Sequence, residues 1–394
     1  MTNEFYMRLA LNEAWKYQIL TFPNPAVGCV VADTQGKILS INSHKKAGLL
    51  HAEANAVFVA LCEISDEFLN KFLQIYESEF GVDLSEICKN PQNLIYGDFF
   101  ENFGAVSAKS RFANQILEFK NLNANFVYEF ITQNHGNLLK NATAFVTLEP
   151  CAHIGKTPSC ALLLKNLGFK KVVIGVADLN EKASGGGEIL AQSGVEVEFG
   201  VLKDECGALL KPFLQWQNGG NFSFFKLAFS ANGVISGEIS NAKSLTFSHY
   251  LRNVCDALLI GGNTVRTDRP KLDTRLICGG KNPDIFIYSR QSEFDKTIPL
   301  FGVAGRNVQI ANDLKIALNS GLVMIEGGQN LLNEIAKSVN LFLFFRSNEL
   351  KNGQNFRSDL KFKPLFTAKF GSDEYGWYEL EIRIINEIKA SNLA

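Results

Sequence analysis

The sequence predicts an α/β protein of two domains. Three observations carry this. Apolar runs of strand length alternate with helical stretches in both halves of the chain. A glycine-containing stretch, Trp216-Gln217-Asn218-Gly219-Gly220, separates the halves. At 394 residues the chain is long enough for two or three domains of ordinary size. The first domain is placed at 1–216 and the second at 221–394, with 63–141 as a helical subdomain inserted in the first.

The elements follow in order. Phe5, Leu9, Ala10 and Trp15 recur at roughly helical spacing, so 4–19 is an opening helix that Pro23 and Pro25 end. Residues 27–32 and 37–42 form a hairpin turned at Asp33-Thr34-Gln35-Gly36. Residues 51–62 are a helix, with His51 and Glu53 in its first turn. Within 63–141, helical stretches at 68–80 and 111–119 carry no catalytic motif, and His135 there is an ordinary loop residue. This segment is expected at a surface loop, where insertions are tolerated. Strands follow at 144–148, 171–176 and 195–199, with a helix at 157–167 between the first two. In the second half, 222–230 and 257–260 are strands, as is 321–325, which leads into a helix reaching 337.

Composition excludes several classes. With 46% hydrophobic and 20% charged residues, the chain suits a soluble globular protein. Lys and Arg (39) balance Asp and Glu (40) for a net charge of −1, so there is no electrostatic case for nucleic-acid binding. No run of about 18 apolar residues and no signal-like N-terminus appears, so no membrane partner and a cytoplasmic location are expected. Eight Cys in a chain this long do not make a disulfide framework.

The chemistry lies in His51-Ala52-Glu53, Pro150-Cys151 and Cys160. One imidazole and two thiolates are zinc ligands that leave a fourth position open. A nearby Glu that is not a ligand then shuttles protons, and the order His-x-Glu, Pro-Cys, Cys is that of zinc deaminases. His51, Cys151 and Cys160 are therefore the expected zinc ligands and Glu53 the catalytic proton carrier. The alternative is a closed structural zinc site, which needs a fourth protein ligand. Eight residues separate the two Cys, where nucleoside and tRNA deaminases have two.

That spacing points to one family. Residues 147–160, Thr-Leu-Glu-Pro-Cys-Ala-His-Ile-Gly-Lys-Thr-Pro-Ser-Cys, resemble the deaminase half of the bifunctional riboflavin-biosynthesis deaminase–reductases. So do Pro23-Asn24-Pro25-Ala26-Val27-Gly28-Cys29-Val30 and His44 followed by Ala47-Gly48 and His51-Ala52-Glu53. The resemblance covers about 1–60 and 142–215 closely and 222–335 more loosely. It implies a cytidine-deaminase-like three-layer sandwich followed by a dihydrofolate-reductase-like domain. It also implies that Asn24 touches substrate, against its reading as a turn residue, and that His44 lies near the pocket, against an exposed loop His. His153 is not a ligand in this family. Asp178, Asn180 and Lys182 with Gly185-Gly186-Gly187 resemble a family loop whose prolines are here Leu179 and Glu181. That glycine run is either a phosphate cradle or a plain connection.

In the second half, Lys226-Leu227-Ala228-Phe229-Ser230-Ala231-Asn232-Gly233 resembles the family's Lys-Leu-x-x-Ser-Leu-Asp-Gly, with Asn232 and Val234 as departures. The resemblance implies that NADPH is held by Thr264, Asp268, Gly327, Gly328 and the backbone of Ala228. It implies that Arg252 and Arg275 clamp a substrate phosphate, as two guanidinium forks can, with Ser236, Leu272 and Glu326 at the sugar. The pattern after 340 departs from the family's. The implied activity is zinc-dependent deamination of 2,5-diamino-6-ribosylamino-4(3H)-pyrimidinone 5′-phosphate, then NADPH-dependent reduction of its ribosyl group to ribityl. The alternative is a pyrimidine deaminase with an inactive reductase domain. The partner is a small molecule, and a homo-oligomer is an expectation from the family.

Overall fold

The structure, a computed structural model, describes residues 1–96, 107–152, 158–180 and 184–381. His153 and Lys182, considered above, lie outside the described residues, as does the expected start of a helix at 157. The chain divides into two compact units, Met1–Gly220 and Asn221–Ala394.

The first unit holds five strands: β1 (Gly28–Ala32), β2 (Ile38–Ser43), β3 (Thr143–Leu148), β4 (Lys171–Val176) and β5 (Glu196–Phe199). They lie in the order β2-β1-β3-β4-β5. β1 pairs antiparallel with β2 and β3, and β3, β4 and β5 run parallel. The described helices are α1 (Asn3–Trp15), α2 (Ala52–Ile64), α3 (Asp66–Phe80), α4 (Leu84–Ile87), α5 (Ala108–Leu117), α6 (Ala124–Asn134), α7 (Cys160–Asn166), α8 (Gly186–Gln192) and α9 (Lys203–Gln217). α1 and α9 pack together against the sheet, and α2 packs against β1–β3 and touches α7. α1 sits close because β1 begins with Gly28, where a Cβ would fall 1.9 Å from the Ala10 carbonyl oxygen. Every residue of β1 is buried, as a strand covered on both faces requires.

The described residues of 63–141 pack into the core of the first unit. α3, α5 and α6 pack on α2, and their apolar residues join one continuous core with α2, β1 and β3. Phe58 of α2 meets Phe72 of α3 edge-on at 4.8 Å between ring centroids, and Phe72 meets Phe130 of α6 at 5.1 Å. The reason is visible in α2. Residues 52–62 of this helix are all buried, and a helix apolar on every side must be covered on every side. α3, α5 and α6 supply that cover as a helical layer.

The stretch taken as a linker also differs. Trp216 and Gln217 are the last turn of α9, and Asn218 is its C-cap. Gly219 adopts φ +71° there, a conformation glycine takes without strain.

The second unit is built on β6 (Phe222–Phe229), β7 (Ala257–Gly261), β8 (Asp284–Tyr288), β9 (Val308–Ala311), β10 (Leu322–Glu326), β11 (Leu341–Arg346), β12 (Phe362–Phe370) and β13 (Asp373–Leu380). Their order is β12-β13-β11-β6-β10-β7-β8-β9. From β11 to β9 neighbours run parallel, and β13 and β12 close the other edge as an antiparallel hairpin. α10 (Ala242–Val254), α11 (Gly262–Asp268), α12 (Leu314–Leu318) and α13 (Gln329–Ile335) flank it. The region after 340, whose motif departs from the family's, thus supplies three strands. What persists there is burial: Leu341, Phe342, Leu343 and Phe345 of β11, with Tyr375 and Trp377 of β13, are all interior. No described helix is long and apolar enough to cross a membrane.

Candidate metal centre and pocket

β3 delivers Pro150 and Cys151 at its C-terminal end, α7 begins at Cys160, and His51 is the N-cap of α2 in extended backbone. His51 Nδ1 lies 3.6 Å from Cys151 Sγ and 3.5 Å from Cys160 Sγ. The three donor atoms all lie within 4.8 Å of one another, the one such cluster among the described residues. The two Cys are also tied to each other directly. Ser159 Oγ donates to the Cys151 carbonyl at 2.7 Å, and the Cys160 N–H points at Cys151 Sγ at 3.4 Å. The Cys151 thiol is pushed down to about 4, first by the Cys160 thiol donating to it and then, against burial, by His51. A thiolate so favoured is a metal ligand at neutral pH. One imidazole and two thiolates suit zinc, and three protein donors leave a fourth place. His51, Cys151 and Cys160 are the residues that could hold it.

Beside them opens a cavity of about 480 Å³, lined by Asn24, His44, Glu53 and Asp178 among others. Glu53 is buried in the first turn of α2, and burial first, then the Cys151 charge, raises its carboxyl to about 7. A group near neutrality can both take and give a proton. His44 Nδ1 faces the Leu50 carbonyl at 2.9 Å, and its Nε2 faces Asn24 Nδ2 at 3.1 Å. Assigning the ring proton to Nδ1 satisfies both contacts. Burial, with the His51 charge second, lowers His44 to about 4, so its ring is neutral. Asn55, which sequence reasoning passed over, donates from Nδ2 to the Ser43 and Leu50 carbonyls and holds the ends of the segment that carries His44. A buried Asn in the otherwise apolar run 54–62 was its signal.

The glycine run is closed by the protein itself. Glu149 Oε1 accepts from the Gly185 and Gly187 N–H groups at 3.2 and 2.9 Å, and Oε2 from the Asp178 N–H at 3.0 Å. Of the two readings of 185–187, the phosphate cradle does not hold: a carboxylate already occupies those donors. Gly186 is required by contact, since a Cβ would fall 1.7 Å from the Pro150 carbonyl oxygen.

In the second unit, several of the expected residues lie at or just beyond the C-terminal ends of parallel strands. Ala228 is near the end of β6, and Gly261 caps α11, which carries Thr264 and ends at Asp268. Glu326 ends β10, and Gly327 and Gly328 lead into α13, with Gly328 its N-cap. That edge is where ligands bind in open parallel sheets. Burial raises the Asp268 carboxyl. Ser236 Oγ accepts from the Gln354 N–H at 3.2 Å. Leu272 is buried at φ +54°, and its carbonyl accepts from Arg306.

The two arginines differ from the expected phosphate pair. Arg252 Nη2 donates to both Glu326 oxygens at 2.9 Å, and Nη1 to the Asp273 carbonyl at 3.3 Å. Its side chain is only 12% exposed. Arg252 is thus committed to a buried carboxylate that needs a cation. Arg275 is half-exposed and pairs with Asp273 at 2.5 Å. Two further polar groups join this cluster. Lys226 stands beside Glu326 in register, and burial lowers its ammonium pKa against the pull of Glu326. His249 of α10 is pushed down to about 4 by burial, then by Arg252 and Arg275. A lysine inside the apolar strand Phe222–Phe229 was the signal in the sequence.

Comparison with known proteins bears on both units. Residues 1–75 match the family described as the cytidine and deoxycytidylate deaminase zinc-binding region. The chain is 37% identical over 163 residues to the riboflavin biosynthesis protein RibD of Synechocystis sp., covering 39% of this chain and 44% of that one. It is 30% identical over 284 residues to RibD of Actinobacillus pleuropneumoniae, covering 70% of this chain and 55% of that one. These alignments span about half the length of the curated relatives. The crystal structure of a diaminohydroxyphosphoribosylaminopyrimidine deaminase/5-amino-6-(5-phosphoribosylamino)uracil reductase from Thermotoga maritima shares the fold. It is 24% identical, with a TM-score of 0.54, and covers 96% of this chain and 99% of that chain. The chain is thus similar in sequence to riboflavin biosynthesis proteins over part of their length, its first residues match a cytidine and deoxycytidylate deaminase zinc-binding region, and its two α/β units share the fold of the Thermotoga maritima structure.

Proposed function

We propose that the chain is a bifunctional enzyme of riboflavin biosynthesis. The first unit would deaminate 2,5-diamino-6-ribosylamino-4(3H)-pyrimidinone 5′-phosphate, and the second would reduce the ribosyl group of the product to ribityl with NADPH. The observation that carries this reading is the His51, Cys151 and Cys160 cluster at the edge of a pocket that also contains buried Glu53. Zinc held by those three donors would supply a water acidic enough to attack the ring carbon at neutral pH. Glu53 carries protons, taking one from the attacking water and giving one to the departing amine, which leaves as ammonia. Asn24, oriented by His44, holds the pyrimidine. In the second unit NADPH would supply the hydride. Thr264, Asp268, Gly327, Gly328 and Ala228 position the cofactor, while Arg275, Ser236, Leu272 and Glu326 with its partner Arg252 border the sugar phosphate. Positioning then carries much of the catalysis. The reading includes a cytoplasmic homo-oligomer that acts on a small molecule and on neither nucleic acid nor membrane; the net charge of −1 supports the exclusion of nucleic acid.

The test is to give the zinc-loaded protein the diaminopyrimidinone phosphate with and without NADPH, beside Glu53→Ala. Ammonia release without NADPH, then NADPH oxidation and a two-hydrogen mass gain, is the expected result. Deamination with no NADPH oxidation would leave the reductase half of the proposal wrong. No deamination at all would remove the first half.

A further inference from the structure

The segment between β2 and α2, residues 44–50, forms one lip of the pocket: His44, Ala47, Gly48 and Leu49 all line it. Its root is Lys45, whose side chain points away into the protein and is only 2% exposed. Lys45 Nζ donates to Glu118 Oε1 at 3.1 Å and to Tyr17 Oη at 3.3 Å. The Lys45 carbonyl accepts from Tyr96 Oη at 3.2 Å. Glu118 and Tyr96 belong to one bracket, because the Ile95 N–H donates to the Glu118 carbonyl at 2.8 Å and Leu94 bridges to Phe119. Both ends of that bracket lie in the extra layer formed by 63–141. The same layer reaches the metal side of the pocket, where Tyr128 Oη donates to the Ser159 carbonyl at 2.8 Å, next to Cys160.

A buried ion pair is a poor source of stability, since apolar residues of the same size serve as well or better. What it provides is a fixed geometry, because each charge must stay against the other. We infer that Lys45 and Glu118 are positioning residues for the deaminase pocket: the extra helical layer grips the 44–50 lip through this pair and so sets where His44 and Asn24 meet the substrate ring. This rests on the deaminase reading of the first unit. It gives the layer a function beyond covering α2, and it makes the fit of the pyrimidine depend on a segment that carries no catalytic motif.

The test is the double variant Lys45→Met/Glu118→Leu, which removes the pair without leaving a buried lone charge. Tyr96→Phe, which removes the hydroxyl that donates to the Lys45 carbonyl, is a milder second variant. Each is compared with the wild type for melting temperature, zinc content, kcat and KM for the pyrimidine, and amide exchange. In the double variant, melting temperature and zinc content hold, while exchange in peptides covering 44–50 speeds up about tenfold. KM rises about tenfold with kcat little changed. Tyr96→Phe moves exchange and KM the same way by less. Unchanged exchange at 44–50 in both variants, or unchanged KM with a loosened lip, overturns the proposal. A wild-type protein that does not deaminate sinks the functional reading instead, and the exchange experiment still decides whether the layer holds the lip.

Discussion

Asn24 Nδ2 lies 3.1 Å from His44 Nε2, and this single contact orients both side chains at the pocket. The Leu50 carbonyl takes the proton on His44 Nδ1, so Nε2 must accept and Asn24 must donate. That contact leaves the Asn24 carbonyl oxygen as the acceptor that, on the proposed reading, an N–H of the substrate would meet. Asn24→Asp has no donor to offer and sets a carboxylate against a ring lone pair. A rise in KM of about tenfold, or about 1.4 kcal/mol, is expected with zinc content unchanged, read by steady-state kinetics and metal analysis.

Glu53 and the three candidate ligands separate in their consequences. Glu53→Gln keeps shape but no longer moves protons, so deamination should fall by about 10²–10⁴ while zinc remains at one per chain. Cys160→Ser should instead lose the metal, and with it thermal stability of the first unit, because bound metal stabilises the fold that holds it. Ammonia release, elemental analysis and melting curves on the two variants distinguish the roles. Equal zinc loss in both would make Glu53 a ligand.

Gly186 marks where α8 touches the Pro150 carbonyl, and a Cβ there would lie 1.7 Å from its oxygen. Gly186→Ala must push Pro150, and Cys151 after it, away from His51. A loss of about 1–3 kcal/mol is expected from the forced contact. Weaker zinc binding should accompany it. Gly194→Ala, where nothing lies within 4 Å but φ is +83°, is the control: its backbone strain costs stability without touching zinc affinity.

Acid should weaken the second unit. His249 is held down at about 4 by burial and by Arg252 and Arg275, against Asp273 and Glu326. A folded-state pKa below the unfolded value of about 6.5 means that the contribution is present above pH 6.5 and is lost as pH falls toward 4. Glu326 acts in the same direction. Burial raises its carboxyl, but Arg252 and Lys226 outweigh burial and leave it lowered, so its contribution goes as pH falls through that lowered value. Unfolding free energies from urea titrations between pH 7 and 4 should decline by on the order of 2 kcal/mol from His249. His249→Gln should flatten the part between 6.5 and 4. A wild-type midpoint constant over that range would contradict the burial of a neutral ring.

Much of the fold was legible because periodicity records burial. Residues 171–176 read as a strand and are one, and the hairpin turned at 33–36 pairs as β1 with β2. The strands after 340 are obscured in the sequence because no family motif marks them; what marks them is the buried aromatic and aliphatic residues of β11 and β13. Helix α9 escaped notice because Pro212 and the glycines beyond Gln217 look like loop, yet proline is accommodated inside this helix. The candidate metal residues could be picked out because imidazole, thiolate and carboxylate are scarce chemistry, and their order along the chain survives an insertion of any length.

Sequence by itself determined which atoms are available: three metal donors, a carboxylate beside them, and two α/β units to hold the chemistry. Only the tertiary structure decided what those atoms face. It turned Arg252 onto Glu326, plugged the 185–187 glycines with Glu149, and laid 63–141 against α2 so that Glu118 meets Lys45. The reason is physical. Ligand chemistry is a property of a residue type, whereas a buried charge or N–H takes whichever partner the packing brings within 3 Å or so, and that partner is distant in sequence.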